Sequence, residues 1–272
     1  MESTEATTFY DQHPFDWVSV DGSRSISAFV SRPLMALIES LDPNALVLDI
    51  GCGPGRVLGV LARKGIRAVG LDRSRVSVGM VLERYHVPGV VGDNLKLPFA
   101  DGTADVVISD GVIHHTNEPA AAFAENCRVL KPGGRMYVAV YKPYGRYPWL
   151  YKYPGALVRS GLRREWSKPL VTFFGQWPYF LVHFARSRGR QTWSGACNLF
   201  YDYFVSPHVE FLSRGVIEEW CARQGVRVSL YDENRGGNVH SFCLVKEAHL
   251  SEGPPLRSSS IETRFGGRRH AT

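Results

Sequence analysis

Asp49, the glycines Gly51, Gly53 and Gly55, then Asp72, and finally the pair Asp93-Asn94 are the residues whose types and spacing could do chemistry together. The run Leu46–Ile50 is short and apolar, as suits a strand buried on both faces of a parallel sheet, and Val57–Lys64 follows with helix-forming residues. The glycines therefore lie on a strand-to-helix turn. There they remove side chains that would hold a ligand off the main chain, and the helix start offers unpaired N–H groups. A bare tight connection with no ligand has the same pattern. The G-x-G-x-x-G dinucleotide fingerprint fails, because its third glycine position is Arg56 counted from Gly51 and Leu58 counted from Gly53. A phosphate-gripping loop would need a lysine that is missing here. Asp49 would repel a pyrophosphate but could hold a cationic amino-acid moiety, directly or through water. Asp72, 21 positions after Gly51 at the end of the apolar run Ala68–Leu71, stands where a doubly wound fold places the carboxylate for a ribose diol. Asp93 and Asn94 follow a third strand at Val90–Gly92 and could bond an adenine edge. Each acid alone could be a helix cap. Three in successive strand–helix units point to a ribose- and adenine-containing ligand with a cationic end.

Five stretches stand in order: VLDIGCGPGR at 47–56, GLDRS at 70–74, GDNLKLPFADGTADVVIS at 92–109, DGVIHHT at 110–116 and RVLKPGGRMYVAVY at 128–141. By them the chain resembles the class I S-adenosylmethionine-dependent methyltransferases, in particular the small-molecule branch of ubiquinone and menaquinone methyltransferase-like proteins. The likeness covers roughly 44–141, with a weaker tail from about 209 to 245. It implies S-adenosyl-L-methionine as cofactor. Asp49, Gly51, Cys52 and Gly53 would then meet its methionine part, Asp72 the ribose, and Asp93 with Asn94 the adenine, over which Arg73 would pack. Asp110, at the head of DGVIHHT, would face cofactor and substrate, and Tyr10, with His13 to Phe15 and Trp17, resembles an aromatic entrance segment that closes over the cofactor. Arg73 departs from the family, which often carries an apolar or small residue there.

To position these residues the chain must alternate strands and helices, which predicts a parallel sheet. A fourth strand is expected at Ala104–Ser109, a helix at Pro119–Val129, a turn at Lys131–Gly134 and a fifth strand at Arg135–Tyr141. Beyond an interruption come a helix at Ser213–Gln224 and strands at Arg227–Tyr231 and Asn238–Val245. A helix is also expected at Ser27–Leu41. The expected fold is α/β: a doubly wound, Rossmann-like, seven-stranded, mostly parallel sheet whose last strand, by the family resemblance, inserts antiparallel, plus a helical cap insertion. The expected parts are an N-terminal lid segment at 1–44, a core at 45–141 and 207–247, the cap at 142–206 and a disordered tail at 248–272.

At 272 residues and 44% apolar content the chain can bury a full core as one main domain. Five scattered cysteines without a C-x-x-C pair disfavour a disulfide framework and zinc, so no metal is expected and a reducing cytoplasm fits. The polar N-terminus has no secretory core. The apolar stretch Leu170–Ala185 contains Gln176, Pro178 and His183 and falls short of the roughly 20 residues a membrane span requires. Between Tyr141 and Phe204 lie 18 of the 32 aromatic residues, and from Lys142 to Arg190 ten Lys and Arg face the single acid Glu165. Such a segment suits nucleic acid, an anionic membrane surface, an acidic small molecule or a solvated face. With no nucleic-acid-binding module present, nucleic acid is not expected, while peripheral membrane contact and a homo-oligomer through the cap stay open.

Methyl transfer needs an aligned nucleophile and, where that nucleophile is protonated, a base. His115 and His114 after the fourth strand are the foremost candidates, with Asp202 as runner-up, and His114, Tyr201 and Tyr203 are candidates for substrate contact. The paired histidines have a packing role as the plain alternative. The expected reaction is methyl transfer to a small, hydrophobic or aromatic metabolite carrying an anionic group. The alternatives are alkyl transfer or cyclisation with the same cofactor, and a cofactor-binding module without catalysis.

Overall fold

β1 (Leu46–Ile50) forms because consecutive apolar side chains point to opposite faces of a sheet covered on both sides. Val47 joins a cluster with Leu58, Leu61, Ile108 and Tyr137, while Leu48 joins another with Phe123, Met136 and Phe242. In the computed structural model, which describes residues 9–14, 30–163, 165–186, 192–235 and 237–248, β1 is joined by β2 (Arg67–Asp72), β3 (Gly89–Val91), β4 (Ala104–Asp110), β5 (Leu130–Tyr141), β6 (Val226–Asp232) and β7 (Val239–Lys246). The sheet order is β3-β2-β1-β4-β5-β7-β6. The first five strands pair in parallel, and β7 slots between β5 and β6, antiparallel to both. This is the doubly wound seven-stranded sheet expected. It brings the carboxyl ends of β1 to β4 to one edge, the edge where such sheets bind ligands.

Two boundaries differ from expectation. The helix expected from Ser27 begins at Arg32 and ends at Glu39, because Ser31 is extended and its Oγ accepts from the Leu34 N–H at 3.3 Å, with Pro33 in the first turn. The turn expected at Lys131–Gly134 is an irregularity inside β5: Leu130 already pairs with Ala104, the register then shifts, and Arg135 pairs with Val106. The glycine Gly133, at φ +75°, absorbs the bend.

Beyond β5 the segment 142–206 is helical: Arg146–Lys152, Pro154–Leu162, a continuous run at 165–186 that includes a π-turn, then Trp193–Phe200 and a second π-turn, Tyr201–Val205. The helix Arg214–Arg223 then packs against the sheet beside Pro119–Val129. Phe15, Trp17 and residues 249–272 of the expected tail lie outside the described residues.

Candidate functional site

The glycine loop is fastened to the neighbouring strand. Gly51 N–H and Cys52 N–H both donate to the Leu71 carbonyl, at 2.7 and 3.0 Å, which brings the end of β2 against the turn. Asp72 then accepts from Gly53 N–H on one oxygen and from Ser74 N–H on the other, each at 2.8 Å. The glycines do different jobs. Gly51 has φ +75° and a Cβ there would lie 2.4 Å from the methyls of Val112, so close packing requires it. Gly53 has φ +51° and a Cβ there would meet no protein atom within 4 Å, because it borders open space.

That space is a cavity of about 890 Å³. Gly51, Cys52 and Gly53 line it from the loop, Asp72 and Arg73 from the end of β2, Asp93 and Asn94 from beyond β3, and Asp110 from the end of β4. His115, Tyr10, Asp202 and Tyr203 line it as well. The structure thus gathers these twelve expected residues around one volume and leaves three out. Asp49 is buried behind the loop; its Oδ2 has no hydrogen-bond partner, and burial pushes its carboxyl up to about 8 against the opposing pull of Arg56. His114 is fully buried with neither ring nitrogen partnered, and burial holds its imidazole well below the usual range. It packs on Tyr141 and accepts the Glu210 N–H through its carbonyl, so it braces the wall. Tyr201 stacks on His13, centroids 3.8 Å apart.

Several wall residues stand outside the sequence motifs. Arg56 opens the helix after the loop and its Nη2 reaches Asp110 at 2.6 Å, a pair both of whose members line the cavity. Its only sequence signal was that it stands where a dinucleotide fold has glycine. Arg32, Asp232, Asn234 and Ser241 arrive from elements remote in sequence. Among the described residues of 142–206, Asp202 and Tyr203 line the cavity, whereas no Lys or Arg of that segment does.

Two parts of the wall have distinct chemistry. On one side Arg73 pairs with Asp93 at 2.8 Å, and the adjacent Asn94 amide is buried with neither its oxygen nor its nitrogen satisfied by protein. A buried amide in that state keeps hydrogen-bonding capacity that no protein group takes up. On the other side His115 Nδ1 lies 2.9 Å from the His208 carbonyl, which fixes the proton on Nδ1 and leaves Nε2 as an acceptor. Nε2 is 4.0 Å from Asp202 Oδ1, and Tyr141 O–H donates to Asp202 Oδ2 at 2.7 Å. Burial lowers the imidazole to about 4 and raises the Asp202 carboxyl to about 6, the latter opposed by the Tyr141 hydrogen bond. Near neutrality the cavity therefore holds a neutral imidazole beside a carboxylate, and both can accept a proton. Among the described residues no cluster of His, Cys, Asp or Glu could hold a metal ion.

Residues 48–138 match a family model for the methyltransferase domain. The tRNA (carboxymethyluridine(34)-5-O)-methyltransferase ALKBH8 of Macaca fascicularis is 37% identical over 111 residues, 40% of this chain and 16% of that protein. The demethylmenaquinone methyltransferase of Corynebacterium kroppenstedtii is 39% identical over 98 residues, 35% of this chain and 42% of that protein. The chain thus spans less than half the length of these relatives. The crystal structure of magnesium protoporphyrin IX methyltransferase from Synechocystis with bound SAH shares the fold, with a TM-score of 0.58 at 16% identity over 90% of this chain and 99% of that one.

Proposed function

We propose that this chain, whose residues 48–138 match the methyltransferase domain, is a class I S-adenosylmethionine-dependent methyltransferase that methylates a small, hydrophobic or aromatic molecule within the cavity of about 890 Å³. One observation carries the reading: a single cavity is walled by a cofactor-type half and by a proton-accepting half. Its volume is at the large end of the roughly 300–1,000 Å³ of small-molecule sites, which suits a nucleoside cofactor and an acceptor side by side.

The residues fit S-adenosyl-L-methionine. Gly53 leaves open space for a ligand against the backbone, the Asn94 amide is buried and unsatisfied, and Asp72 keeps lone pairs beyond the two it gives to N–H groups. Asp72 would hold the ribose hydroxyls, Asn94 with Asp93 the adenine edge, and the Gly51–Gly53 backbone the methionine part. Asp49 does not line the cavity, and with its carboxyl pushed up to about 8 by burial it is largely protonated near neutrality. When bound, the cofactor supplies a methyl group activated on a sulfonium.

The remaining work falls to the other part of the wall. Asp202, with His115 Nε2 beside it, takes the proton of an acceptor hydroxyl, enol or acidic C–H, and Tyr141 keeps the carboxylate oriented. Tyr10 belongs to residues 9–14, which Asp11 anchors by accepting the Ser74 hydroxyl at 2.6 Å. This segment is the lid and, together with the cap residues Asp202 and Tyr203, excludes water from the reacting centre. Arg32 also lines the cavity, and no carboxylate among the described residues pairs with it, so it is the counter-ion for an anionic group on the acceptor.

The similarity to a tRNA methyltransferase supports a second reading, with a nucleotide of RNA as acceptor. The test uses cofactor labelled at the methyl group, a panel of phenols, quinols and aromatic acids, and bulk tRNA. Label in a small product supports the proposal and label in tRNA supports the second reading. Label retained in methylthioadenosine would mean alkyl transfer or cyclisation, and cofactor binding without turnover on any acceptor would mean a binding module.

A further inference from the structure

The helical run 165–186 wears its apolar side outward. Trp166, Leu170, Phe173, Leu181 and Phe184 recur at spacings of four, three, eight and three, so they share one side of the run, with Phe174 among them and Trp177 at its margin, where it leans on Trp193 with ring centroids 4.6 Å apart. All are exposed, from 41% at Phe184 to 71% at Phe174. The inward side carries Gly175, the buried amide Gln176 and Tyr179, which rest on the helix Trp193–Phe200 and the following π-turn: Tyr179 lies 5.7 Å from Phe200 and 5.8 Å from Phe204 between ring centroids. A helix serving only to close the cavity would place its large apolar residues on the inner side. None of this outer stripe lines the cavity. So contiguous an exposed apolar surface marks a contact with something else.

The charges around the stripe choose the partner. Arg163 and Lys168 stand exposed at its start and Arg186 at its end, within a segment that has ten Lys and Arg and one acid between Lys142 and Arg190. A second copy docking by two-fold symmetry would set this basic rim against itself. RNA would meet the rim, but the leucines and phenylalanines between offer its phosphates nothing. An anionic bilayer satisfies both at once: headgroups meet Arg and Lys while Trp, Phe and Leu enter the boundary of the acyl chains. No helix among the described residues is long and apolar enough to cross a membrane, which suits a helix lying on the surface.

We infer that the outer face of residues 165–186 docks this protein on an anionic lipid surface, by insertion of its aromatic and leucine stripe between flanking cations. The inference does not depend on which acceptor is methylated. Its test is flotation of the full chain with phosphatidylcholine vesicles, with and without phosphatidylglycerol, at low and raised salt. Binding is expected with phosphatidylglycerol and is weakened by salt. The triple variant Phe173→Ser, Phe174→Ser, Leu181→Ser should lose at least about tenfold in vesicle affinity. Arg163→Glu with Arg186→Glu should do the same. Both variants should keep the wild-type melting temperature and cofactor affinity. Equal binding to both vesicle types, or by wild type and triple variant, would overturn the inference. So would a wild-type dimer in sedimentation velocity that the triple variant abolishes, or tRNA binding without vesicle binding.

Discussion

Replacing Gly51 and Gly53 separately by alanine should split stability from cofactor affinity. Both have positive φ, at +75° and +51°, and placing an L-residue there costs roughly 1–2 kcal/mol. At Gly51 the new methyl also falls 2.4 Å from both methyls of Val112, and overpacking of this kind adds about 1–3 kcal/mol. Gly51→Ala should therefore lose about 2–5 kcal/mol, a large part of the roughly 5–15 kcal/mol that holds a domain folded. For a domain of this size that is a fall in Tm of about 4–20 °C. At Gly53 the methyl meets no protein atom within 4 Å, so only the backbone cost remains, about 2–8 °C, but the methyl enters the space assigned to the cofactor. Scanning calorimetry and titration with S-adenosyl-L-methionine read the two effects. Gly53→Ala should be the more stable variant and the weaker binder relative to its own loss of stability. A Gly53→Ala protein with undiminished affinity would remove the loop from the cofactor site, and a Gly51→Ala protein as stable as Gly53→Ala would refute the steric argument at Val112.

Three further outcomes are expected. The kcat/KM profile should fall as pH drops through about 6, where the buried Asp202 carboxyl gains its proton, and Asp202→Asn should remove that limb and lower kcat by about 10²–10⁴-fold; a limb near 4 instead would assign the base to His115. Asp72→Ala deletes a charged acceptor worth about 1.5–3 kcal/mol per hydrogen bond, so calorimetry should show cofactor bound about ten- to a hundredfold more weakly, and unchanged affinity would take Asp72 out of ligand contact. Arg56→Met strands Asp110, and the melting temperature should fall by the equivalent of the low end of about 3–5 kcal/mol, since the pair is partly exposed.

The half of the site built from strand ends was legible in the sequence because it is local. An apolar run, a glycine turn and a carboxylate fix the relation of Asp72 to Gly53 once the sheet is parallel. The other half is made by side chains that meet only in space. His114 and His115 are neighbours with the same chemistry, yet a short helical turn sends one ring into the core and the other to the cavity, and a sequence carries no sign of which. Arg56 was hidden because it opens a helix while its partner Asp110 ends β4, 54 positions along the chain, and Asp232 and Ser241 because β6 and β7 lie farther still. The density of aromatic residues between Tyr141 and Phe204 marks an unusual segment but not its sidedness, since rings packed on Phe200 and rings facing outward are alike in composition.

The place where the helical segment leaves and rejoins the sheet has a consequence for how such a chain can change over time. Leu212 N–H donates to the Tyr141 carbonyl at 3.0 Å, and the Tyr151 hydroxyl donates to the Ser206 carbonyl at 3.0 Å, so exit and return are stitched together beside the end of β5. Closing a longer or shorter excursion across such a fixed gap costs little, about 0.6 kcal/mol for each doubling of length. The excursion can thus be exchanged as a cassette while the strand ends that line the cavity stay as they are. The match to the methyltransferase domain runs from 48 to 138 and stops just short of that seam.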